Sequence, residues 1–489
     1  MDNEDQSDIS PPPQGGYISE KELAENIHRE VLESTPSGRL LLQKEALRRK
    51  ATEPITLEKV KTILSKTIKA DDNNKLILFL CFLLNYSEED QQNIAFNAPS
   101  STGKSYIALE VSKFFPPEDV KIHSYTSPTA FFHALGKLST PDGQPLKDLH
   151  EYVEEGLQEW EEQNPKPTQG VEKWREQRKS EIRRLRNLWE SIDKIYVVSL
   201  ERLILIFVDQ PHDRLLQVVR ALLSHDQKRL PVKITDKTKE GGNRTKSILI
   251  VGFPTWVFNS TSFSLNEQEK TRFWLLSPEI NQSKLRDSLT LQAEALGDRQ
   301  TFKASLEADE ERELLRELVR AIKELSLKEV IIRPEDRSTL CSDFLRQHPE
   351  LSPRHQRDFP RLIALVKAIA LLNAFYRQRS PDGSGIYAEK EDIIEAKKLL
   401  EGIIEANELG IPPYAWDFYI KSLKPMLSEH GLTREEVSKL YFSHFKTRIG
   451  EKARKRLLEL YSEAGVIYEG PDPEDRRIMR IYPPQEGGE

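Results

Sequence analysis

Cysteine is almost absent from this sequence. The two present, Cys81 and Cys341, lie far apart and lack the spacing of a metal-binding motif. A disulfide framework or a zinc finger is therefore not expected, and a reducing interior compartment fits this usage best.

Long apolar runs are missing as well. The longest, within 76–84 and 203–208, reach about ten residues, whereas a membrane-spanning helix needs roughly 20. The first 16 residues are acidic and proline-rich, without the apolar centre of a signal peptide. We expect a soluble, cytoplasmic protein without membrane contact, with a disordered tail over 1–16.

A strong charge of one sign is also lacking. The chain has 489 residues and a net charge of −7, with 37% hydrophobic and 31% charged residues. This length allows roughly three domains. Any contact with nucleic acid must come from local basic patches, because the chain as a whole is not a polycation.

Hydrophobic periodicity predicts an α/β fold. Short apolar segments, typical of buried parallel strands, alternate with helical stretches from residue 94 onward. The predicted units are a helical N-terminal region (17–70), an α/β core (71–283), a helical lid (284–410) and a C-terminal winged helix (411–489). The core carries a helical insert over 141–192 and a basic hairpin over 228–250.

The strongest motif is the segment 98–105, Ala-Pro-Ser-Ser-Thr-Gly-Lys-Ser, which lies between a predicted strand and a predicted helix. Such a loop cradles a triphosphate: Lys104 can reach the β- and γ-phosphates and Ser105 can bind Mg²⁺. Ala98 replaces the usual glycine and fits if its φ is negative. ATP and Mg²⁺ are the predicted cofactors, and the residues expected to contact them are Pro99, Ser100, Ser101, Thr102, Gly103, Lys104, Ser105 and Tyr106.

The second half of this site is predicted at Asp209, which ends an apolar strand and can hold Mg²⁺ beside Ser105. Gln210 follows it, where a motor ATPase usually has the glutamate that polarises water. An amide can orient water but cannot take its proton. Either hydrolysis is slow, or another group is the base, or Gln210 is an engineered trap.

The order of these motifs resembles the AAA+ ATPases, and in particular the helix-2-insert branch that contains the minichromosome maintenance (MCM) helicases. The polar strand end 124–127 before a helical insert and the basic hairpin before 248–251 are similar to that branch. The resemblance implies an arginine finger at Arg272, in Thr-Arg-Phe, and a sensor-2 arginine at Arg357, although Arg354 and Arg361 are plausible neighbours. It puts sensor 1 at the strand end 252–255, where Thr255 or Asn259 replaces the family's asparagine.

The hairpin is basic in its own right, with seven cations and two carboxylates between 228 and 246. Such a patch suits phosphate contact without base readout, while the alternative is a solvated hairpin whose charge prevents edge pairing. The predicted DNA-binding residues here are Lys233, Lys237, Lys239, Arg244 and Lys246.

The last seventy residues look like a winged helix, with basic residues Lys452, Arg454 and Lys455 on a recognition-like helix. A packing or regulatory role is the alternative. The insert, acidic first and basic later, predicts two antiparallel helices that form a structural arm, or a lever that contacts a partner.

These observations predict an ATP-dependent DNA helicase or translocase that acts on single-stranded or forked DNA in replication of a chromosome or a mobile element. The predicted assembly is a ring, most simply a hexamer. The first alternative is a slow AAA+ switch or loader that assembles on DNA or protein. The second is a nucleotide-stabilised scaffold.

Overall fold

The computed structural model describes residues 31–43, 54–88, 90–124, 131–132, 135–209, 211, 213–238, 242–260, 272–401 and 404–484. Within these ranges, the backbone alone is described at 40–43, 213, 234–238, 242–246 and 404–405. The tail predicted over 1–16 and residues 17–30 of the predicted N-terminal region lie outside the described residues.

In the described part of the chain, three α-helices precede the first strand: α1 (Pro36–Gln43), α2 (Leu57–Ser65) and α3 (Asp72–Leu83). The hydroxyl of Thr56 caps α2 by accepting a hydrogen bond from the Lys59 N–H at 3.2 Å, as its sequence predicts. Helix α3 is buried from Asn74 to its end. A helix that is apolar on every side belongs in the interior, and this one lies beneath the central sheet.

The described chain between 94 and 276 contains nine strands: β1 (Ile94–Asn97), β2 (Val120–His123), β3 (Lys137–Ser139), β4 (Ile195–Ser199), β5 (Ile204–Phe207), β6 (Arg229–Thr238), β7 (Gly242–Val251), β8 (Thr255–Ser260) and β9 (Trp274–Leu276). Five of them form a parallel central sheet in the order β2-β5-β8-β1-β9. The chain is thus a mixed α/β protein, as predicted.

Helices cover both faces of this sheet. The region contains α4 (Lys104–Ser112), α5 (Leu149–Gln163), α6 (Val171–Ser191) and α7 (Asp213–Leu223). Alternate residues of β5 pack into two different clusters, Ile204 and Ile206 with α3 and α4, and Leu205 and Phe207 with α7. Burial on both faces explains why these strands are continuously apolar.

A second sheet has the order β3-β4-β7-β6. Strands β6 and β7 form the predicted hairpin, antiparallel from the pair Arg229 and Val251 to the pair Thr238 and Gly242. The segment 248–251 belongs to this second sheet, because β7 pairs with β4 and β6. The core strand of this region is β8, which is buried over its whole length.

The helices α5 and α6 of the segment 141–192 form an antiparallel arm. Arg178 on α6 donates to Glu161 on α5 at 2.6 Å, and the Trp174 indole donates to the Asn164 carbonyl at 2.8 Å.

Residues 282–408 are mainly helical: α8 (Gln282–Gly297), α9 (Arg299–Glu307), α10 (Glu310–Glu324), α11 (Pro334–Gln347), α12 (His355–Leu372), α13 (Lys390–Glu401) and α14 (Ile404–Glu408). Two short parallel strands, β10 (Glu329–Ile331) and β11 (Gly385–Tyr387), were not predicted, because three residues are too few to show a period of two. Helix α12 and α3 belong to one buried core cluster.

The C-terminal residues form a small unit of their own. It contains α15 (Pro413–Phe418), α16 (Arg434–Phe445), α17 (Glu451–Glu463) and the strands β12 (Leu432–Thr433), β13 (Tyr468–Pro471) and β14 (Met479–Tyr482). The strands pair antiparallel in the order β12-β14-β13. After Phe418 the chain continues as a π turn and then a 3₁₀ turn, and Pro425 lies in the latter.

Within the described residues, no helix is both long and apolar enough to cross a bilayer.

Candidate nucleotide-binding site

The phosphate loop connects β1 to α4 at the carboxyl edge of the central sheet. Gly103 precedes the helix with φ of +95°, a left-handed conformation that suits glycine, and Ser101 adopts a positive φ of 64°. Ala98 has no positive φ, as its place in the motif requires. The first backbone N–H groups of α4 have no carbonyl partner within the helix, so they are available to an anion.

Lys104 is the most unusual side chain of the loop. It is buried, and its Nζ donates to the carbonyls of Ala98 at 2.7 Å and Pro99 at 2.8 Å. Burial lowers the pKa of Lys104 to about 8. Within the described residues Lys104 has no carboxylate partner at ion-pair distance, so the site presents a buried amine that an anion would complement.

Ser105 contacts the residue that precedes Asp209. The Ser105 Oγ donates to the carbonyl of Val208 at 3.5 Å, and Asp209 is the next residue, exposed at the end of β5. A hydroxyl and a carboxylate are the hard oxygen ligands that Mg²⁺ prefers, so the donor set fits this ion. Gln210 lies outside the described residues.

Tyr106 contributes differently from its neighbours in the loop. Its hydroxyl donates to the Thr67 carbonyl at 2.9 Å, which ties α4 to the segment that follows α2. Burial raises the pKa of Tyr106 to about 12, so the hydroxyl remains a donor at neutral pH. Its backbone N–H belongs to the first turn of α4 and remains the group predicted to contact phosphate.

The prediction of Thr255 as a catalytic residue needs correction. Thr255 begins β8, at the amino edge of the sheet, where its hydroxyl donates to Cys81 and accepts from Asn85. The alternative, Asn259, lies near the other end of β8, beside the strands that lead to Lys104 and Asp209. Four residues separate the two positions, about 13 Å along a strand.

Asn259 has the properties that this position requires. Its Nδ2 donates to the Phe207 carbonyl at 2.8 Å, while its buried Oδ1 has no hydrogen-bond partner in the described part of the chain. A buried amide oxygen without a partner is rare, and it is available to orient water near the end of β5.

Lys284 and Asp71 form an ion pair that contacts the phosphate loop. Neither residue was predicted from the sequence. Lys284 forms an ion pair with Asp71, and its Nζ also donates to the Thr102 carbonyl at 3.3 Å. The Asp71 side chain is completely buried and also accepts from the Glu279 N–H at 2.7 Å. No local motif signals the pair, because the two residues are more than 200 positions apart.

We expect the variant Lys284→Met to be destabilised by about 3–5 kcal/mol, because it leaves the Asp71 carboxylate buried without its cation. The double variant Asp71→Asn with Lys284→Met should recover most of this loss. Urea unfolding of the unmodified chain, the two single variants and the double variant measures the loss of stability and its recovery. Additive effects of the two changes would contradict the coupling.

The predicted arginines Arg272 and Arg357 share one cleft, which Arg361 also lines. Arg272 Nε contacts the Ser224 Oγ, and Arg361 donates to Asp358 at 2.7 Å and to the Phe273 carbonyl at 2.5 Å. Arg354, which precedes α12, also donates to Asp358, at 3.2 Å. Of the three arginines near the start of α12, Arg357 is therefore the one without a carboxylate partner in the described structure.

This cleft lies at the amino edge of the sheet, away from the phosphate loop. It is lined by Asn93, which precedes β1, whereas Lys104 follows the carboxyl end of β1. The four residues of β1 span about 13 Å. The structure thus brings Arg272 and Arg357 together but does not bring either to Lys104 of the same chain.

The predicted DNA-contacting residues are only partly described. Lys233 is exposed on β6; the side chains of Lys237, Arg244 and Lys246 and the whole of Lys239 lie outside the described residues. On α17, Lys452 and Lys455 are exposed, while Arg454 is half-buried and donates to the Ser438 Oγ at 2.9 Å.

The pKa of Lys104 predicts a pH dependence of nucleotide affinity. A bound triphosphate favours the ammonium and raises this pKa, so that binding takes up a proton above pH 8. Affinity for MgATP should change little between pH 7 and 7.5 and fall by up to about tenfold per pH unit above pH 8. Calorimetric titrations measure this. The always-charged Lys104→Arg variant should have a flatter profile, and equal slopes would contradict the assignment.

Comparisons with known proteins give no family. No protein-family profile and no curated protein matches the chain. Among solved structures, the chain is similar to a full-length MCM homologue from Methanopyrus kandleri, with 11% identity over 81% of this chain and a TM-score of 0.34. It spans 62% of that protein's length.

A second similar structure is the Aeropyrum pernix ORC1 protein in complex with DNA. The identity is 11%, the match covers 94% of this chain and 93% of that one, and the TM-score is 0.21. At TM-scores below 0.5, neither likeness establishes a family or a function for this chain.

Proposed function

We propose that this chain is an ATPase of the AAA+ type, similar to the MCM helicases, that acts on DNA as a motor. The observation that carries the proposal is the buried amine of Lys104 at the start of α4, beside Ser105 and the strand that ends at Asp209. ATP, when bound, supplies the phosphoanhydride bond. Lys104 would complement its phosphate charge, and Ser105 with Asp209 would hold Mg²⁺.

We further propose a ring of identical subunits, most simply a hexamer. Arg272 and Arg357 line a cleft at the sheet edge opposite the phosphate loop. They can act on a nucleotide only if it is bound to a neighbouring copy. Such a head-to-tail contact closes into a ring when the rotation between copies allows it. In this arrangement residues 282–408 serve as the lid.

We propose that DNA is contacted by the hairpin of β6 and β7 and by the exposed basic side chains of α17. The C-terminal unit serves as the winged helix, since β12 precedes α16 and α17 and the hairpin of β13 and β14 follows them, with the three strands forming one antiparallel sheet. The hairpin is a two-stranded ribbon with Lys233 exposed on it, which suits contact with phosphates without base readout.

Neutralising the hairpin tests the DNA role. Replacing Lys233, Lys237, Lys239, Arg244 and Lys246 by glutamine should weaken binding to single-stranded DNA, because each phosphate contact is lost with its counterion release. If all five make contacts, the slope of log K against log salt should fall by about 3 to 4. Fluorescence anisotropy at several salt concentrations measures this.

The matched control replaces five exposed basic residues on α6 of the helical arm by glutamine: Lys173, Arg175, Lys179, Arg183 and Arg186. An equal loss of affinity in both variants would show that overall charge, and not the hairpin, determines binding. Strand displacement on a forked duplex then tests the motor activity itself.

Gln210 favours a second candidate, a slow AAA+ switch or loader that binds ATP and assembles on DNA or protein without unwinding. An amide next to Asp209 cannot accept a proton from water. A large rise in ATP turnover in the Gln210→Glu variant, with no strand displacement by the unmodified chain, would favour the switch over the motor.

A further inference from the structure

Two histidines and a glutamate meet between the helical region and the C-terminal unit. His348 follows α11, His355 begins α12, and Glu408 ends α14. The Glu408 Oε1 lies 3.0 Å from the His348 Nε2 and 3.8 Å from the His355 Nε2. One nitrogen or oxygen atom from each of the three residues lies within 4.8 Å of the others.

Three polar atoms of this group, the two ring nitrogens of His348 and the Oε1 of Glu408, are buried. The His348 side chain is 9% exposed, and neither of its ring nitrogens has a hydrogen-bond partner in the described part of the chain. The Glu408 Oε1 is likewise without a hydrogen bond there. Buried polar atoms without partners are costly, which points to a ligand that they share.

The surroundings hold the three side chains in place. The Phe344 ring packs against both imidazoles, with centroids 4.3 Å from His348 and 5.8 Å from His355. Next to Glu408, the Asn407 side chain pairs with the edge strand β9, accepting from the Leu275 N–H at 2.9 Å and donating to its carbonyl at 3.0 Å. The carboxylate is therefore anchored to the central sheet.

We propose that His348, His355 and Glu408 bind one divalent transition-metal ion, with Zn²⁺ the best match. Zinc bonds of roughly 2.0–2.2 Å in a tetrahedral arrangement separate neighbouring ligand atoms by about 3.3 Å. The observed separations of 3.0 and 3.8 Å bracket this value. Two neutral imidazoles and one carboxylate leave a fourth position to water.

Binding requires the exchange of one hydrogen bond. The His355 Nδ1 accepts from the Ser352 N–H at 3.0 Å, so its Nε2 carries the proton in the neutral ring. An ion at Nε2 shifts that proton to Nδ1, and the Ser352 N–H, in an exposed loop, turns to solvent. Of the neighbouring charges, Arg354 forms an ion pair with Asp358, and Asp358 also pairs with Arg361.

The ion would fix the first turn of α12, which carries Arg357 two residues after His355, to the segment that leads to the C-terminal unit. The role is structural. It does not depend on the proposed ATPase function, so the two can fail separately.

Titration of the tag-free full chain with Co²⁺ alone, without nucleotide, tests the site. We expect one equivalent to give the intense visible spectrum of four-coordinate cobalt, and Zn²⁺ to displace it and raise the melting temperature. His348→Ala and His355→Ala should each lose the spectrum. Loss of a direct ligand should weaken binding by more than the roughly 10- to 100-fold typical of outer-shell partners.

The matched control is His150→Ala, which removes an exposed histidine 3.3 Å from Glu154 and should leave the spectrum unchanged. Glu408→Cys should keep the ion and add a near-ultraviolet sulfur-to-cobalt band, a gain that misfolding cannot produce. The proposal is wrong if the folded chain gives no such spectrum, or if the spectrum survives in both histidine variants. In the first case the three side chains merely share a proton.

Discussion

Replacing Lys104 by methionine is expected to abolish nucleotide binding while changing the stability of the nucleotide-free protein only slightly. The amine complements phosphate charge, and methionine fills the same volume without it. Charge-assisted hydrogen bonds contribute about 1.5–3 kcal/mol each, so loss of two or more weakens binding by at least about 100-fold. ATP hydrolysis should fall to background.

The stability half of this prediction follows from the pKa of Lys104. Burial lowers this pKa to about 8, so at pH 7 the fold holds a charged amine that water would hold more favourably. The unfolded chain binds this proton more tightly than the folded one. Removing the amine therefore removes this unfavourable term, which offsets the loss of its hydrogen bonds to the carbonyls of Ala98 and Pro99.

Thermal unfolding with and without MgATP measures both nucleotide binding and the stability of the nucleotide-free protein. At 100 times its Kd, a ligand stabilises the unmodified protein by about 2.7 kcal/mol, and Lys104→Met should lose this entirely. Lys113→Ala, at the other end of α4, removes an exposed lysine paired with Glu110 and should keep it. Equal stabilisation of Lys104→Met and the unmodified chain would refute the site.

The second large effect is expected at Arg272. Arg272→Ala should lower ATP turnover by roughly 10³-fold, as arginine fingers do elsewhere, and change ATP affinity only slightly. The side chain is distant from its own phosphate loop, so the loss arises at the nucleotide of a neighbouring copy. Ser224→Ala, which removes only the hydroxyl that Arg272 contacts, should keep most of the turnover.

Mixing two inactive variants distinguishes this mechanism from misfolding. Arg272→Ala keeps its phosphate loop, and Asp209→Ala keeps its arginine. In randomly mixed rings, roughly one site in four combines the intact halves, so turnover should recover to about a quarter of the unmodified level. If mixed assemblies form but have no more ATP turnover than either variant alone, Arg272 does not act between copies.

Much of the site was accessible from sequence because its signals are local. The loop 98–105 and the apolar run ending at Asp209 each lie within a single strand and its continuation. The lysine, the hydroxyl and the carboxylate could thus be assigned without knowledge of packing. The α/β class followed from the same alternation of apolar strands and helices.

The sequence does not reveal which apolar segments join the central sheet, because tertiary packing decides this. Both 248–251 and 255–260 are apolar segments, and the first looks more like a core strand. The central sheet nevertheless contains the second, because β7 pairs with β4 and β6. Because β8 is the core strand, Thr255 and Asn259, the two alternatives for sensor 1, lie towards opposite ends of one buried strand.

Long-range pairs were beyond the reach of sequence patterns. The ion pair of Lys284 with Asp71 and the group of His348, His355 and Glu408 join segments that only the fold brings together. No spacing rule connects them, since each partner lies in a different helix or loop.

The position of Ala98 affects how truncations of this protein should be interpreted. Ala98, the first residue of the phosphate loop, belongs to the same buried cluster as Ile411, Tyr414 and the interior of the C-terminal unit. Cutting the chain before Pro413 would bare that alanine to water and loosen the loop. Slower ATP turnover in such a shortened protein would therefore reflect a damaged loop as readily as the loss of a DNA-binding module.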